Sequence, residues 1–558
     1  MKEKIEQAVQ AAVQAVFAVE INAELTRPEQ QFGDFSTNAA LRLSKQLGKN
    51  PREIAEALVE RLQADLADEV TAVTIAGPGF INLTLSNESL VASLQAGPAQ
   101  TNSGKVVLAE YSDPNPFKPL HAGHLYTTLV GDVIARLIEA SGANVTRINY
   151  GGDVGLHVGK SMWSIVRELG GELPDKLADI TESDRPQWLG NRYVEGNNAY
   201  EDDETARAEI VDANRRVYEL HNQDDHDSPF AQIYWICRGW SYEYFKQLYA
   251  QLDVHQFDRM IPESEVVPLG VQMVREHIGD VYQESDGAIV FKGEEFGLHT
   301  RVFINSQGLP TYEAKDVGLL FTKWNSYHYD RSIYITANEQ AQYMQVMLKS
   351  VEQFAPEPAQ KSEHLTHGIV KLQGGVKMSS RKGNIVSAVD ILDAARAANK
   401  QLTGQDNQAT VLGAVKYAFL KNRIGGDIAY DPVESVSLEG NSGPYLQYAH
   451  ARACSILRKA PDTATESQLS ADLEADERSL VRKLSEYAEI VDKAVAELMP
   501  HHICGYLYEL AQEFNRFYEH NRVLDDPRQH LRLSLVRQYA DTLSNGLQLL
   551  GIIAPEQM

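Results

Sequence analysis

Apolar residues recur at helical spacing through the first hundred residues: Ile5, Val9, Val13 and Val16 form one stripe, and Ile54, Leu58 and Leu62 form another. VTAVTI and FINLTL then read as short strands, with Ile81, Leu83 and Leu85 alternating after the turn Gly77-Pro78-Gly79. This pattern predicts a small separate α+β unit over residues 1–100, ending near the linker-like AGPAQTNSGK.

From Lys105 the pattern changes. VVLAEY predicts a short buried strand, SDPNPFKPL a proline-punctuated loop, and HAGHLYTTLVGDVIARLIEASG a helix closed by Gly142; NVTRINY predicts a second strand. Strand, loop, helix and strand in succession make a βαβ unit, which implies a parallel sheet with a right-handed crossover. Further on, AIVFK and TRVFIN suggest a hairpin, a helix begins near Thr311, RSIYIT is a buried strand, and NEQAQYMQVMLKSVEQF is a helix. Residues 160–285, between the two blocks, read as a mostly helical insertion. Past Ser387 strands are no longer expected, and helical periods such as Leu531, Leu535, Tyr539, Leu543, Leu547 and Leu550 dominate. The expected architecture is therefore multidomain α/β. A small α+β domain (1–100) precedes a Rossmann-like parallel-sheet domain with its insertion (105–387), and an all-helical domain (388–558) follows.

Composition adds limits. The 558 residues are 43% hydrophobic and 23% charged, ordinary for a globular protein, and no apolar run is long enough to span a bilayer. With 52 Lys and Arg against 77 Asp and Glu, the net charge is −25, which argues against a whole-surface grip on nucleic acid but not against a local basic face. Residues 201–227 alone hold ten carboxylates and three basic side chains, as expected of a solvated helix with acidic loops. Cys237, Cys454 and Cys504 lie far apart with no CxxC pair, so neither a disulfide framework nor a thiolate zinc site is expected.

Two segments carry candidate chemistry. In PNPFKPLHAGH, residues 114–124, a proline-bent loop delivers His121 and His124 to a helix start with Gly123 between them. Backbone N–H groups and the helix dipole there suit a nucleoside triphosphate. The imidazoles can donate to a charged transition state, and a glycine lets the adenine approach the backbone. The plain alternative is a pair of histidines capping a helix. In GGVKMSSRKGN, residues 374–384, paired glycines, Lys377, Arg381, Lys382 and adjacent Ser379 and Ser380 form a cationic loop suited to a leaving pyrophosphate. Its alternative is a solvated basic loop. HxGH opening a parallel-sheet domain and KMSS closing it form a specific pair.

That pair resembles the signatures of class I aminoacyl-tRNA synthetases. AEYSDPNPFKPLHAGHL, INYGGDVGLHVGK, GLPTYEAKDVGL, IYITANEQ, GIVKLQGGVKMSSRKGN and EGNSGPYLQYAHAR, with QFGDFSTN in the first unit, are similar to the arginyl-tRNA synthetase family along nearly the whole chain. The resemblance implies ATP-dependent ligation of L-arginine to tRNA(Arg) through an arginyl-adenylate, with ATP as substrate, Mg²⁺ accompanying it, and no zinc. It places ATP contacts on His121, Gly123, His124, Lys377, Met378 and Ser379. The arginine pocket falls on Glu110, Asn115, His121, Tyr312, Asp316 and Gln340. A guanidinium presents five donors and wants carboxylates, which Glu110 and Asp316 could supply. Asn115 and Gln340 suit the substrate's α-carboxylate or α-amino group. The resemblance further implies tRNA D-loop contact by the first domain, anticodon binding by the last, and a cytoplasmic monomer with no membrane partner.

The sequence departs from the family twice. Its second signature usually ends in lysine, but position 380 is Ser380; family members lacking that lysine typically carry one shortly before HxGH, where this chain has Lys118. RLSL, from Arg532 to Leu535, stands where relatives show Asp-Ala-Leu-Arg. With five arginines and no lysine in the last 58 residues, stacking on Tyr508, Phe514, Phe517 and Tyr518 with a few placed arginines suits tRNA better than bulk charge, although most of those rings are expected in the core. The competing readings are the same chemistry on cysteine or glutamate, and a non-catalytic tRNA-binding paralogue. A pure binder has no need of both phosphate sites.

Overall fold

A computed structural model describes residues 1–372, 386–460 and 471–558. The first unit packs helices Lys2–Phe17, Ala39–Leu47 and Pro51–Asp65 on a four-stranded antiparallel sheet ordered Leu25–Thr26, Phe35–Thr37, Phe80–Leu85, Val70–Ala76. The expected stripes are buried at Ile5, Val9, Val13, Ile54, Leu58, Leu62, Ile81, Leu83 and Leu85. Val16 is not; it lies near the end of its helix and is exposed.

Asp34, in the QFGDFSTN segment, ties this unit to the C-terminal helices. Fully buried, it accepts from Leu85 N at 2.8 Å and pairs with Arg478 (2.7 Å) and Arg482 (3.3 Å) of the helical domain. Truncating one partner of a buried pair strands the rest and costs about 3–5 kcal/mol. Asp34→Ala should therefore unfold at clearly lower urea than the parent, and an unchanged midpoint would mean that apolar packing alone holds the two units together.

The central sheet is parallel throughout, with neighbours in the order Ser362–His367, Arg331–Ala337, Val106–Glu110, Asn144–Gly151, Arg259–Pro262. The helix after the first of these strands in sequence, Ala122–Ala140, is buried on nearly all sides, as its apolar run requires. Parallel sheets of this kind bind ligands outside the carboxyl ends of their strands, where the order reverses. Val106–Glu110 is that switch strand. The expected hairpin appears as Ala288–Phe291 against Arg301–Ile304.

Two expectations need correction. The stretch 160–285 is mostly helical as expected, helix Glu263–Glu276 included, but it is not all insertion: Arg259–Pro262 is an edge strand of the main sheet, too short to carry a periodic signal. Strands also persist past Ser387: Ile428–Tyr430 pairs in parallel with Val370–Leu372. Otherwise the C-terminal part is helical, and Leu535, Tyr539, Leu543, Leu547 and Leu550 are buried as expected. The acidic 201–227 stretch forms helix Glu204–Asn222, with Ala206, Ile210, Ala213 and Val217 turned inward. Arg532, in place of the usual tetrapeptide, is buried against Glu477 at 2.9 Å and Glu474 at 3.0 Å, and Arg528 joins it on Glu477. Phe514 and Phe517 are core, with Phe514 stacked on Tyr539 at 3.8 Å, whereas Tyr508 and Tyr518 stay half-buried.

Candidate active site

The loop from Ser112 to Leu120 leaves the switch strand with Ser112, Asp113 and Phe117 all at positive φ (76°, 49° and 70°). Such left-handed geometry is unfavourable for non-glycine residues and survives only where surroundings over-determine it. Here the insertion helix Pro229–Gln251 does so. Tyr249 OH lies 2.8 Å from Ser112 Oγ, and Ser241 Oγ accepts from Phe117 N at 2.9 Å. The insertion thus shapes the loop that carries the histidines.

His121 is the N-cap of helix Ala122–Ala140, with Nδ1 accepting from Gly123 N (3.0 Å) and His124 N (3.4 Å). His124 Nδ1 accepts in turn from His121 N at 3.3 Å, and the rings stack at 3.7 Å. Capping and catalysis are therefore compatible readings of this motif. With both Nδ1 atoms accepting, each ring carries its proton on Nε2, a donor available to a ligand. Burial, then the Lys118 charge, pushes His121 down to about 4, and burial, then the charges of His121 and Lys118, push His124 well below the usual histidine range, so both are neutral imidazoles. A Cβ on Gly123 would meet the His121 ring at 2.9 Å, so the glycine serves the cap.

Lys118 lies three residues earlier, largely buried, its Nζ 5.0 Å from the centre of the Tyr193 ring. Among the described residues it forms no ion pair. An uncompensated cation therefore sits beside the two imidazoles. Lys377, Met378, Ser379, Ser380, Arg381 and Lys382 lie outside the described residues. The chain after them returns directly to the histidines: Val386 O accepts from Ala122 N at 2.8 Å, and Ala388 N donates to Leu120 O at 2.9 Å.

Asp316 stands among other acids. Asp316, 5% exposed on helix Tyr312–Tyr327, has no ion pair among the described residues and accepts from the Tyr343 hydroxyl. Burial, with Glu110, Glu263 and Glu313 nearby, pushes its carboxyl up to about 8. Glu110, expected beside it as a guanidinium acceptor, is already bonded to Lys323 Nζ at 2.7 Å, and that ammonium lies 3.4 Å from the centre of the Tyr334 ring. Glu263 is likewise paired with Lys315 at 2.6 Å. Tyr312 stands one turn before Asp316, largely exposed, and Gln340 is exposed on the turn Asn338–Gln340. Asn115 Oδ1 accepts from Gly152 N at 3.0 Å, which leaves its Nδ2 as the free donor. Gly152, in the GGDVG turn, leaves room for this contact: a Cβ would come within 2.4 Å of Asn115 Oδ1 and displace the amide.

Lys323, Lys315, Glu263, Tyr343 and Asp113 were not expected from sequence. Lys323 follows Asp316 by two helical turns, the one local hint; the rest are brought in from distant segments.

The parallel sheet, with its switch strand leading into two neutral histidines and Lys118, points to a class I aminoacyl-tRNA synthetase. Residues 86–436 match the sequence model for tRNA synthetases class I (R), catalytic domain. Residues 1–85 match the arginyl tRNA synthetase N terminal domain, and residues 446–558 the DALR anticodon binding domain. Relatives include the arginine-tRNA ligases of Synechococcus sp., 31% identical over 98% of both chains, and of Lactobacillus delbrueckii subsp. bulgaricus, 31% identical over the whole of both. Thermus thermophilus arginyl-tRNA synthetase superposes with a TM-score of 0.81 at 26% identity, with full coverage of both chains. The chain belongs to the arginyl-tRNA synthetase family.

Proposed function

We propose that this protein joins L-arginine to tRNA(Arg) in two steps. The arginine carboxylate attacks the α-phosphorus of ATP and diphosphate leaves. A hydroxyl of the tRNA's terminal adenosine then attacks the arginyl carbonyl and AMP leaves. Positioning and charge do most of such work, so no dedicated general base is required. His121 and His124 donate from Nε2 to the phosphates, Lys118 supplies positive charge, and Gly123 lies against the nucleotide. Lys377, Met378, Ser379 and Ser380 complete the phosphate end. ATP is taken with Mg²⁺, the ion arriving as part of the substrate.

Asn115 Nδ2 addresses the α-carboxylate, with Gln340 beside it, while Tyr312 and Asp316 hold the guanidinium. Glu110 acts there through its pair with Lys323. The observation that carries this reading is a pair of buried ionisable groups without ion pairs among the described residues: Lys118 beside the histidines, and Asp316, whose carboxyl is held protonated by burial until a cation arrives. Residues 1–100 are taken to touch the tRNA's D-loop corner, and residues 388–558 its anticodon. A cytoplasmic monomer fits this role. No helix among the described residues is long and apolar enough to cross a membrane.

ATP–diphosphate exchange with each amino acid in turn tests the assignment. Arginine alone should support exchange, and chiefly once tRNA is added. Exchange with cysteine or glutamate instead would overturn it, and robust arginine exchange without tRNA would remove only the tRNA requirement.

Asp316 also sets a pH dependence. Its folded pKa, about 8, lies above the unfolded value of about 3.9, so its burial disfavours the fold progressively as pH rises from about 4 to 8. The guanidinium needs the ionised form, so arginine binding at pH 7 should release a proton. Affinity should rise by up to about tenfold per pH unit below pH 8 and level off above it. Calorimetry in buffers of different ionisation heat reads that proton directly, and Asp316→Asn should remove its share.

A further inference from the structure

A third histidine lies against the HxGH helix, and the chemistry above makes no use of it. His367 is the last residue of strand Ser362–His367 and is 1% exposed, its ring edge-on to Tyr126 at 4.5 Å. Each ring nitrogen has one partner. Nδ1 lies 2.8 Å from Gly368 O, and Nε2 lies 2.6 Å from the hydroxyl of Thr127. Thr127 stands one turn after Gly123, the glycine between His121 and His124, and its Oγ is 2.9 Å from Gly123 O. Counting protons assigns the roles. A carbonyl can only accept, so Nδ1 carries a proton and donates to Gly368 O. Burial, opposed by that backbone bond, holds the ring below the usual histidine range, so at neutral pH it has this one proton. Nε2 is then a bare acceptor, and the Thr127 hydroxyl donates to it, while Gly123 O keeps the backbone N–H that the helix provides. The far end of the chain is fixed as well: a Cβ on Gly368 would meet Gly426 O at 2.3 Å, so its backbone is closely packed.

We propose that His367 is a positioning residue for arginine activation: through Thr127 it ties the start of the HxGH helix to the end of strand Ser362–His367, and so fixes the direction in which His121 and His124 present Nε2. The first turn of a helix is where it frays, and here that turn carries both donors. The cap that holds it is made of long bonds, 3.0, 3.3 and 3.4 Å, against a usual N–H donor distance of about 2.9–3.0 Å. The contact from Thr127 to His367 is shorter and runs to a different layer of the fold, a strand paired in register with Arg331–Ala337. His367 touches no substrate in this account. It acts by keeping two donors where charge develops on the phosphates, and a displacement of about 1 Å there can cost about 10²-fold in rate.

The inference rests on the arginine reading, and ATP–diphosphate exchange with arginine and tRNA present tests the two separately. Thr127→Val keeps the shape of the side chain and removes the hydroxyl. Its kcat should fall by about 10–100-fold with the arginine and ATP KM within about twofold of the parent, as for a contact that matters chiefly in the transition state. Thr127→Ser keeps the donor, and His367→Gln keeps an acceptor near the place of Nε2, so both should retain most of the rate. His367→Asn, which can reach only Gly368, should be as slow as Thr127→Val, and the double variant no slower than the slower single one, since both remove the same link. The ¹⁵N spectrum of the unsubstituted protein, with His367→Gln as the difference control, should show His367 protonated on Nδ1 alone. A parental kcat in Thr127→Val, an equal loss in Thr127→Ser, or a proton on Nε2 in place of Nδ1 would overturn the proposal. Should Thr127→Val lose the fold, the comparison of His367→Gln with His367→Asn and the ring's proton decide the matter. A parent that exchanges no diphosphate with arginine defeats the functional reading; a parent that does, with Thr127→Val unaffected, defeats only the role of His367.

Discussion

Replacing Lys118 with alanine should slow adenylate formation by about 10²–10³-fold, the usual consequence of removing one preorganised charge donor. As the bond between the α- and β-phosphates breaks, negative charge gathers on diphosphate, and a fixed cation nearby lowers that barrier. The family's signature loop normally brings a lysine for this purpose, but Ser380 offers only a neutral hydroxyl. Lys118 lies beside the histidines without an ion pair among the described residues, and its charge adds to the lowering that burial imposes on His121, His124 and His157. Ser380→Lys in the Lys118→Ala background should recover part of the loss. The same variant should let the His121 pKa rise from about 4, because the Lys118 charge is one of its two causes. An unchanged activation rate would move the compensating charge to Lys377 or Lys382.

Asp316→Asn should weaken arginine binding by about 2–5 kcal/mol, the scale for truncating one member of a buried charge pair, and leave ATP affinity almost unchanged. Asparagine keeps an oxygen for Tyr343 but removes a carboxyl that has no ion pair among the described residues and can ionise against a guanidinium. Glu110 cannot take over, since its carboxylate is held by the fully buried Lys323. Steady-state charging over a range of arginine concentrations measures the effect. A parental arginine KM in this variant would place the guanidinium elsewhere.

Much of this could be read from the chain alone because it is local. The HxGH loop and its helix are contiguous in sequence, and the stripes of the first unit follow one helical period. What escaped was either short or long-range. Arg259–Pro262 and Ile428–Tyr430 span too few residues to show an alternation, and each becomes a strand only because a neighbour pairs with it. The pairing of Glu110 with Lys323 joins residues 213 apart, and that of Glu263 with Lys315 joins residues 52 apart. No local pattern announces which buried acid will be neutralised. Glu110, expected from the sequence as a direct acceptor, is bonded to Lys323 instead. The QFGDFSTN aspartate was visible only as part of a resemblance; its clasp on Arg478 and Arg482 explains why an acid sits there.

The chain belongs to a family that ligates arginine to tRNA with ATP, and this activity should be its own. Incubating the purified protein with ATP, Mg²⁺, tRNA and each labelled amino acid separately, then counting acid-precipitable aminoacyl-tRNA, tests it most directly. Arginine alone should become attached, in an amount equal to the tRNA(Arg) present, and omitting ATP should abolish the product. Attachment of a different amino acid, or none of arginine by a folded protein, would contradict the account.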